Sequence, residues 1–264
     1  MARPPKIATL RTPCRVWAIP SLFGDTARLQ KLHALLDERL EASDRIVYLG
    51  NALGGPECQR TVDQLLAFEK NFRTRHRAQR GDLVWLRGAQ EEMLQKLFQI
   101  QMAAEPEKVL EWMVARGADR TIRAYGARVE DAFAAIRQGT MAITHWTIAL
   151  RKSFQERGHQ AYFNALQHAA RMGETDYLFV NAGLDPRQPL DEQADAFWWD
   201  SGAFERQATP FAGFGRTIRG YDPEARGLVE TEVWVSLDAG CGRGGSLLAV
   251  CFAEGEGIVD RIAV

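Results

Sequence analysis

The chain has 264 residues, 46% hydrophobic and 25% charged, with 33 Lys and Arg against 34 Asp and Glu for a formal net charge of −1. That length buries a sizeable core, and the balanced charge supplies no bulk field towards nucleic acid or an anionic membrane. No apolar run approaches the ~18–20 residues of a membrane span, and Cys14, Cys58, Cys241 and Cys251 show no C-x-x-C pairing, so a membrane-spanning, disordered, collagenous or disulfide-stapled protein is excluded.

Residues 1–12 are basic and contain proline but lack the apolar stretch of a secretory signal. With unpaired cysteines, this reads as a cytoplasmic protein with reduced thiols. Residues 15–19 (RVWAI) predict a short strand. Residues 26–40 predict a helix with Leu29, Leu32, Leu35, Leu36 and Leu40 on one face. A second strand (45–49, RIVYL), a helix around 62–68, a third strand (82–86, DLVWL) and a helix over about 90–101 follow. This alternation implies parallel β-α-β units with right-handed crossovers.

From 105 to about 172 the pattern is almost wholly helical, punctuated near Gly117, Gly126 and Gly139, and 143–171 reads as one long helix or two. Residues 176–180 (DYLFV) return to strand. Residues 231–237 and 246–252 predict an antiparallel pair, and 257–264 an edge strand. The expectation is one α/β domain over 1–264 with a helical insertion at about 105–172.

Ligand chemistry in an α/β sheet collects beyond the C-terminal ends of the strands. The loops there read AIPSLFGD (18–25), YLGNALGGPE (48–57), WLRGAQEEML (85–94), YLFVNAGLDP (177–186), FGRT (214–217) and LDAG (237–240). This series resembles the calcineurin-like metallophosphoesterases, in particular the bacterial and phage-type serine/threonine protein phosphatases, whose blocks run AIGDIHGD, LGDYVDRGP, LRGNHE, LFVHAGL, GHT and IDTGA. WMVARGADRTIRAYG (112–126) is similar to the family's WLxNGGxxTLxSYG, and PLDEQADAFWWDSGAF (189–204) to its PLxEQxxxxLLWIRxEF. The resemblance spans roughly residues 14–252 and implies two mixed β-sheets sandwiched between helices, an α/β fold.

The family holds two divalent metals, such as Mn, Fe or Zn, with two aspartates, an asparagine and three histidines. On these blocks the first motif's Asp and His fall at Ser21 and Phe23, and the bridging Asp at Asn51. The Asn of GNHE falls at Ala89 and its His at Gln90, and the later histidines fall at Asn181 and Arg216. The phosphate-gripping arginines are missing too: DRG shortens to Gly54-Gly55, and the Arg of WIRxEF falls at Ser201. Divalent ions need carboxylate and imidazole ligands at fixed positions. Removing both carboxylates would leave about four positive charges without a protein anion. The resemblance therefore implies a scaffold without its metal centre, with no metal or other cofactor and no catalytic residue.

Competing signals are weaker. Residues 240–245 (GCGRGG) match G-x-G-x-x-G, but a β-type run follows where the dinucleotide fingerprint needs a helix, so a hairpin connection is expected. Arg73, Arg75, His76, Arg77 and Arg80 form a basic run, a solvated loop or a docking patch for an acidic partner. His145, His159 and His168 are spaced 14 and 9 apart, unlike paired helical ligands. Trp199 is a candidate for filling the old cleft. Arg216 reads either as a salt-bridging loop residue or as a guanidinium in the empty second-metal position, the one candidate phosphate-binding residue. The expectation is a pseudophosphatase acting through a protein partner or ligand sensing, without nucleic acid or membrane. The alternatives are an active phosphohydrolase with an atypical metal or substrate site, and a small-ligand sensor.

Overall fold

The computed structural model describes residues 5–12, 14–173, 177–193 and 195–264. After the edge strand β1 (Ile7–Leu10), the first half alternates as expected: β2 (Arg15–Ile19), α1 (Thr26–Arg39), β3 (Arg45–Tyr48), α2 (Cys58–Arg75), β4 (Leu83–Trp85) and α3 (Ala89–Leu97). The start of α1 is fixed by Asp25, whose carboxylate accepts the Arg28 N–H at 3.0 Å. β2, β3 and β4 are parallel neighbours.

The helical stretch comprises α4 (Pro106–Val114), α5 (Ala118–Ala124), α6 (Val129–Gln138), α7 (Thr140–Glu156) and α8 (Gln160–Ala165). The expected helix over 143–171 is thus two helices, parted at Gly158, whose φ of 76° is left-handed. It also ends early: Ala169–Met172 form strand β5, parallel to β1. Tertiary pairing with an edge strand 162 residues earlier overrides the local apolar pattern. β6 (Tyr177–Val180) matches its predicted strand except at Asp176, which lies outside the described residues.

The remaining elements are α9 (Ala196–Trp199), α10 (Ser201–Glu205), β7 (Arg216–Arg219), β8 (Val229–Glu230), β9 (Trp234–Ser236), β10 (Leu248–Ala253) and β11 (Gly257–Ala263). They form a six-stranded sheet, β1-β5-β6-β7-β9-β8, and a five-stranded sheet, β11-β10-β2-β3-β4. The expected antiparallel pairing of 231–237 with 246–252 does not occur. β9 joins the first sheet beside β7, whereas β10 lies between β11 and β2 in the second. The 240–245 turn therefore crosses from sheet to sheet and is not a hairpin. β11 is the predicted edge strand.

Period-2 alternation divides the core. Val16 and Ala18 of β2 face Phe179, Ile218 and Phe252 between the sheets, while Trp17 and Ile19 pack with Leu29, Leu32 and Leu36 of α1. On the outer face of the six-stranded sheet, Leu178 and Val180 meet Phe197, Trp198 and Phe204. The result is a layered helix–sheet–sheet–helix sandwich in which the ends of β2, β3, β4, β6 and β7 meet.

Candidate functional site at the strand ends

Five loops converge at that end, and their polar side chains bond one another. Ser21, just beyond β2, donates from Oγ and from its backbone N to the Gly220 carbonyl, both at 2.9 Å. Asn51, beyond β3, donates from Nδ2 to Ser21 Oγ at 3.1 Å and accepts the Gln90 N–H on Oδ1 at 3.1 Å. Asn181, beyond β6, donates to the Leu49 carbonyl at 2.5 Å, and its own carbonyl accepts the Gly220 and Tyr221 N–H groups at 2.9 and 2.8 Å. Ser21, Asn51 and Asn181 are each at most 1% exposed.

The backbone is tightly drawn here. Phe23 (φ 44°) and Asn51 (φ 55°) are left-handed without being glycine, a conformation that costs about 1–3 kcal/mol and persists only where surrounding contacts enforce it. Both are held by main-chain bonds, since the Leu22 and Phe23 N–H groups converge on the Asn51 carbonyl at 3.1 and 2.8 Å. A Cβ on Gly88 would lie 2.3 Å from Asn51 Oδ1, and one on Gly220 would lie 2.1 Å from Leu49 Cβ.

The carboxylates nearby are already occupied. Glu91, fully buried, accepts the N–H groups of Asn51, Leu53 and Gly88 at 2.9–3.0 Å. Asp25 caps α1 and binds Arg28 at 2.6 Å. Asp222, two residues beyond Gly220, meets Arg219 at 3.2 Å and Arg226 at 2.7 Å, and Glu205 bridges the same two guanidiniums. Asp238, beyond β9, accepts the Asp222 and Gly240 N–H groups and binds Arg243 at 2.5 Å.

Burial pushes the Asp222 carboxyl up, but the Arg226 hydrogen bond, a backbone donor and Arg219 outweigh it and leave it below the usual carboxylate range. For Asp238 burial prevails and the carboxyl sits above its ordinary value. The Arg243 guanidinium lies 5.3 Å from the Phe23 ring and 5.2 Å from that of Tyr221, and also donates to the Asp222 carbonyl at 3.0 Å. It covers the loops like a lid bolted to both sides.

Of the residues singled out in the sequence, the fold brings together Ser21, Phe23, Asn51, Gln90 and Asn181, with Ala89 opening α3 beside them. Gln90 donates to the Arg116 carbonyl at 3.0 Å, and Gly54 donates to Thr121 Oγ1 at 3.0 Å, so the helical stretch seals this side. Trp199 stands edge-on against Trp112 at 5.2 Å.

Arg216 is the correction. It begins β7 opposite Tyr177 and pairs with Glu230, whereas Asn181 and Gly220 follow the other ends of β6 and β7. At about 3.3 Å per residue, it lies roughly a strand length from Asn181 and neither fills a metal position nor faces the cluster. The block that follows β7 is Gly220-Tyr221-Asp222, which puts Tyr221 where the last histidine was sought. Sequence reasoning also missed Arg243 and Asp222; the run RGYDP (219–223), a strand end followed by Gly, was the available signal.

The histidines stand apart. His33 bonds Tyr48 Oη at 2.7 Å, and His159 bridges Tyr125 Oη at 2.6 Å and Asp63 at 2.8 Å. The four cysteines are free and buried, and burial pushes the Cys241 thiol up to about 12. Among the described residues no helix is long and apolar enough to cross a membrane.

Neither the protein-family models nor the curated proteins give a match to this chain. Solved structures do. A candidate diadenosine tetraphosphatase superposes with a TM-score of 0.57 at 18% identity, covering 98% of this chain and 97% of its own. A serine/threonine phosphatase from Saccharomyces cerevisiae, with similarity to human phosphatase PP5, gives a TM-score of 0.52 at 12% identity, covering 98% of this chain and 83% of its own. The fold is that of the calcineurin-like metallophosphoesterases. At these identities the likeness establishes the scaffold and not the chemistry performed on it.

Proposed function

We propose that this protein is a non-catalytic member of the metallophosphoesterase fold, a pseudophosphatase that acts through a protein partner or by sensing a ligand in the cytoplasm of a bacterium. The reading rests on the donor set at the strand ends. The side chains there are a hydroxyl (Ser21), three carboxamides (Asn51, Gln90, Asn181) and two rings (Phe23, Tyr221). Every carboxylate within the loops is committed to backbone N–H groups or to an arginine. A two-metal phosphoesterase brackets the phosphoryl group with both ions and generates its nucleophile between them. Neutral amide oxygens, two of them unpartnered at Asn181 Oδ1 and Gln90 Oε1, do not suit a pair of divalent cations. The residues present therefore do not fit the family's metals, and no catalytic step is routed through them.

The arginine–carboxylate cluster supports the same reading. Its acids, Asp222, Asp238 and Glu205, face Arg219, Arg226 and Arg243, so charge at the old site is balanced within the chain.

Elemental analysis with a phosphatase assay tests the proposal. Protein purified without chelator should carry well under one Mn, Fe or Zn per chain and hydrolyse an aryl phosphate no faster than blank. Near-stoichiometric metal, with turnover that disappears on altering Asn51, would establish the alternative of an active phosphohydrolase.

A further inference from the structure

A cavity of about 1100 Å³ opens on the flank of the sandwich between α3, α7, α8 and the residues Asp191, Glu192, Asp195 and Trp198, and none of Ser21, Asn51, Asn181 or Gln90 lines it. Its size is just above the range of small-molecule sites, roughly 300–1,000 Å³. The walls combine flat rings with carboxamides: Phe98, Phe163 and Trp198 on one hand, Gln95, Gln99 and Gln155 on the other. Those three glutamine side chains make no hydrogen bond to any described residue. Gln95 lies in α3, Gln99 two residues beyond its end, and Gln155 in α7, whose Phe154 stands edge-on to Phe98 at 5.6 Å.

The charge is mixed and mostly spent. Arg87 binds Glu92 at 2.8 Å and lies 5.9 Å from the Trp198 ring. Arg151 rests on Phe98 at 5.0 Å, and Asp195 is bound to Lys96 at 3.0 Å. Lys6, Arg87 and Arg151 face Glu92, Asp191, Glu192 and Asp195. His168 accepts the Lys6 N–H on Nδ1 at 2.9 Å and stands edge-on to Trp198 at 5.4 Å. Its imidazole is driven down to about 4 by burial, Arg87 and Lys6, so it is neutral at physiological pH.

We propose that this cavity binds a purine nucleobase or nucleoside, taken without its phosphates. A carboxamide offers a donor and an acceptor in one plane, the complement of a purine edge, and aromatic and guanidinium faces stack on bases. With Lys96 bound to Asp195 and Glu92, four cations stand against four carboxylates, so the walls carry no net positive charge to hold a polyphosphate. The site is independent of the strand-end reading, since it shares no residue with that cluster.

Calorimetry on the full chain with adenosine, guanosine and their triphosphates tests it, alongside Gln95→Trp, which fills the cavity from an exposed helix position, and Gln155→Leu as a second variant. At least one purine nucleoside should bind saturably at one site per chain, with its triphosphate at least about tenfold weaker. Both variants should weaken binding by about tenfold or more at unchanged melting temperature, while Arg216→Ala leaves it unaltered. No nucleoside binding at millimolar concentration, a triphosphate that binds as well as the nucleoside, or full affinity in a folded Gln95→Trp or Gln155→Leu protein would each overturn the proposal.

Discussion

The loops at the strand ends handle burial in two opposite ways. Around Ser21, Asn51 and Asn181 the groups are neutral, and each hydroxyl or amide is tied to a neighbouring loop or carbonyl. At the end of β7 and in the loops beyond β7 and β9, the ionisable side chains of Arg219, Asp222 and Asp238 are fully buried. In the first half the buried Glu91 is held by three backbone N–H groups and the Tyr162 hydroxyl without a guanidinium, whereas the second pairs each acid with a guanidinium and backbone donors.

That contrast can be broken most severely from the charged side. Asp222→Ala would leave the buried Arg219 with Glu205 as its remaining carboxylate, and a loss of about 3–5 kcal/mol is expected, read as a lowered denaturant midpoint. Placing an acid in the neutral half is the converse: Asn51→Asp removes the donor to Ser21 Oγ and adds an unpaired buried carboxylate, with an expected cost of about 2–4 kcal/mol. Adding Mn should restore none of it; full rescue by metal would show that the neutral half still holds a cation.

Steric closure comes next. Gly220→Ala puts a methyl 2.1 Å from Leu49 Cβ, and about 1–3 kcal/mol of overpacking should appear in thermal melts. Smallest per unit change is the acid response. Burial lowers the His33 imidazole to about 3, whereas an unfolded histidine titrates near 6.5. Between those values the unfolded chain binds the extra proton, so stability falls as pH drops below about 6.5, with a limiting slope of about 1.4 kcal/mol per pH unit for each such histidine. His168, lowered to about 4, is a second, so His33→Gln should roughly halve the slope, and an unchanged slope would place the lost protons elsewhere.

Much of the scaffold was legible because periodicity and strand-end blocks are local. The strands over 15–19, 45–49 and 82–86, the leucine face of 26–40 and the loop blocks that follow the strands can all be read within a few residues. Three features were not. β5 needed its partner β1, far away in sequence, and so looked helical. The separation of β9 and β10 into different sheets depends on which edges remain free, which spacing alone does not encode. The short block FGRT puts Arg216 three residues before the strand ends; β7 closes at Arg219, and Gly220 and Tyr221 follow it. The Arg243 bridge over Phe23 and Tyr221 joins loops about 220 positions apart and leaves no local trace.

The absent side chain at Gly220 has a mechanical meaning. Gly220 ends a strand of one sheet against Leu49 at the end of a strand of the other, and the bonds from Ser21 to Gly220 and from Asn181 to Leu49 cross the same seam. The two sheets are stitched at that edge and cannot slide or part without rupturing all three contacts together.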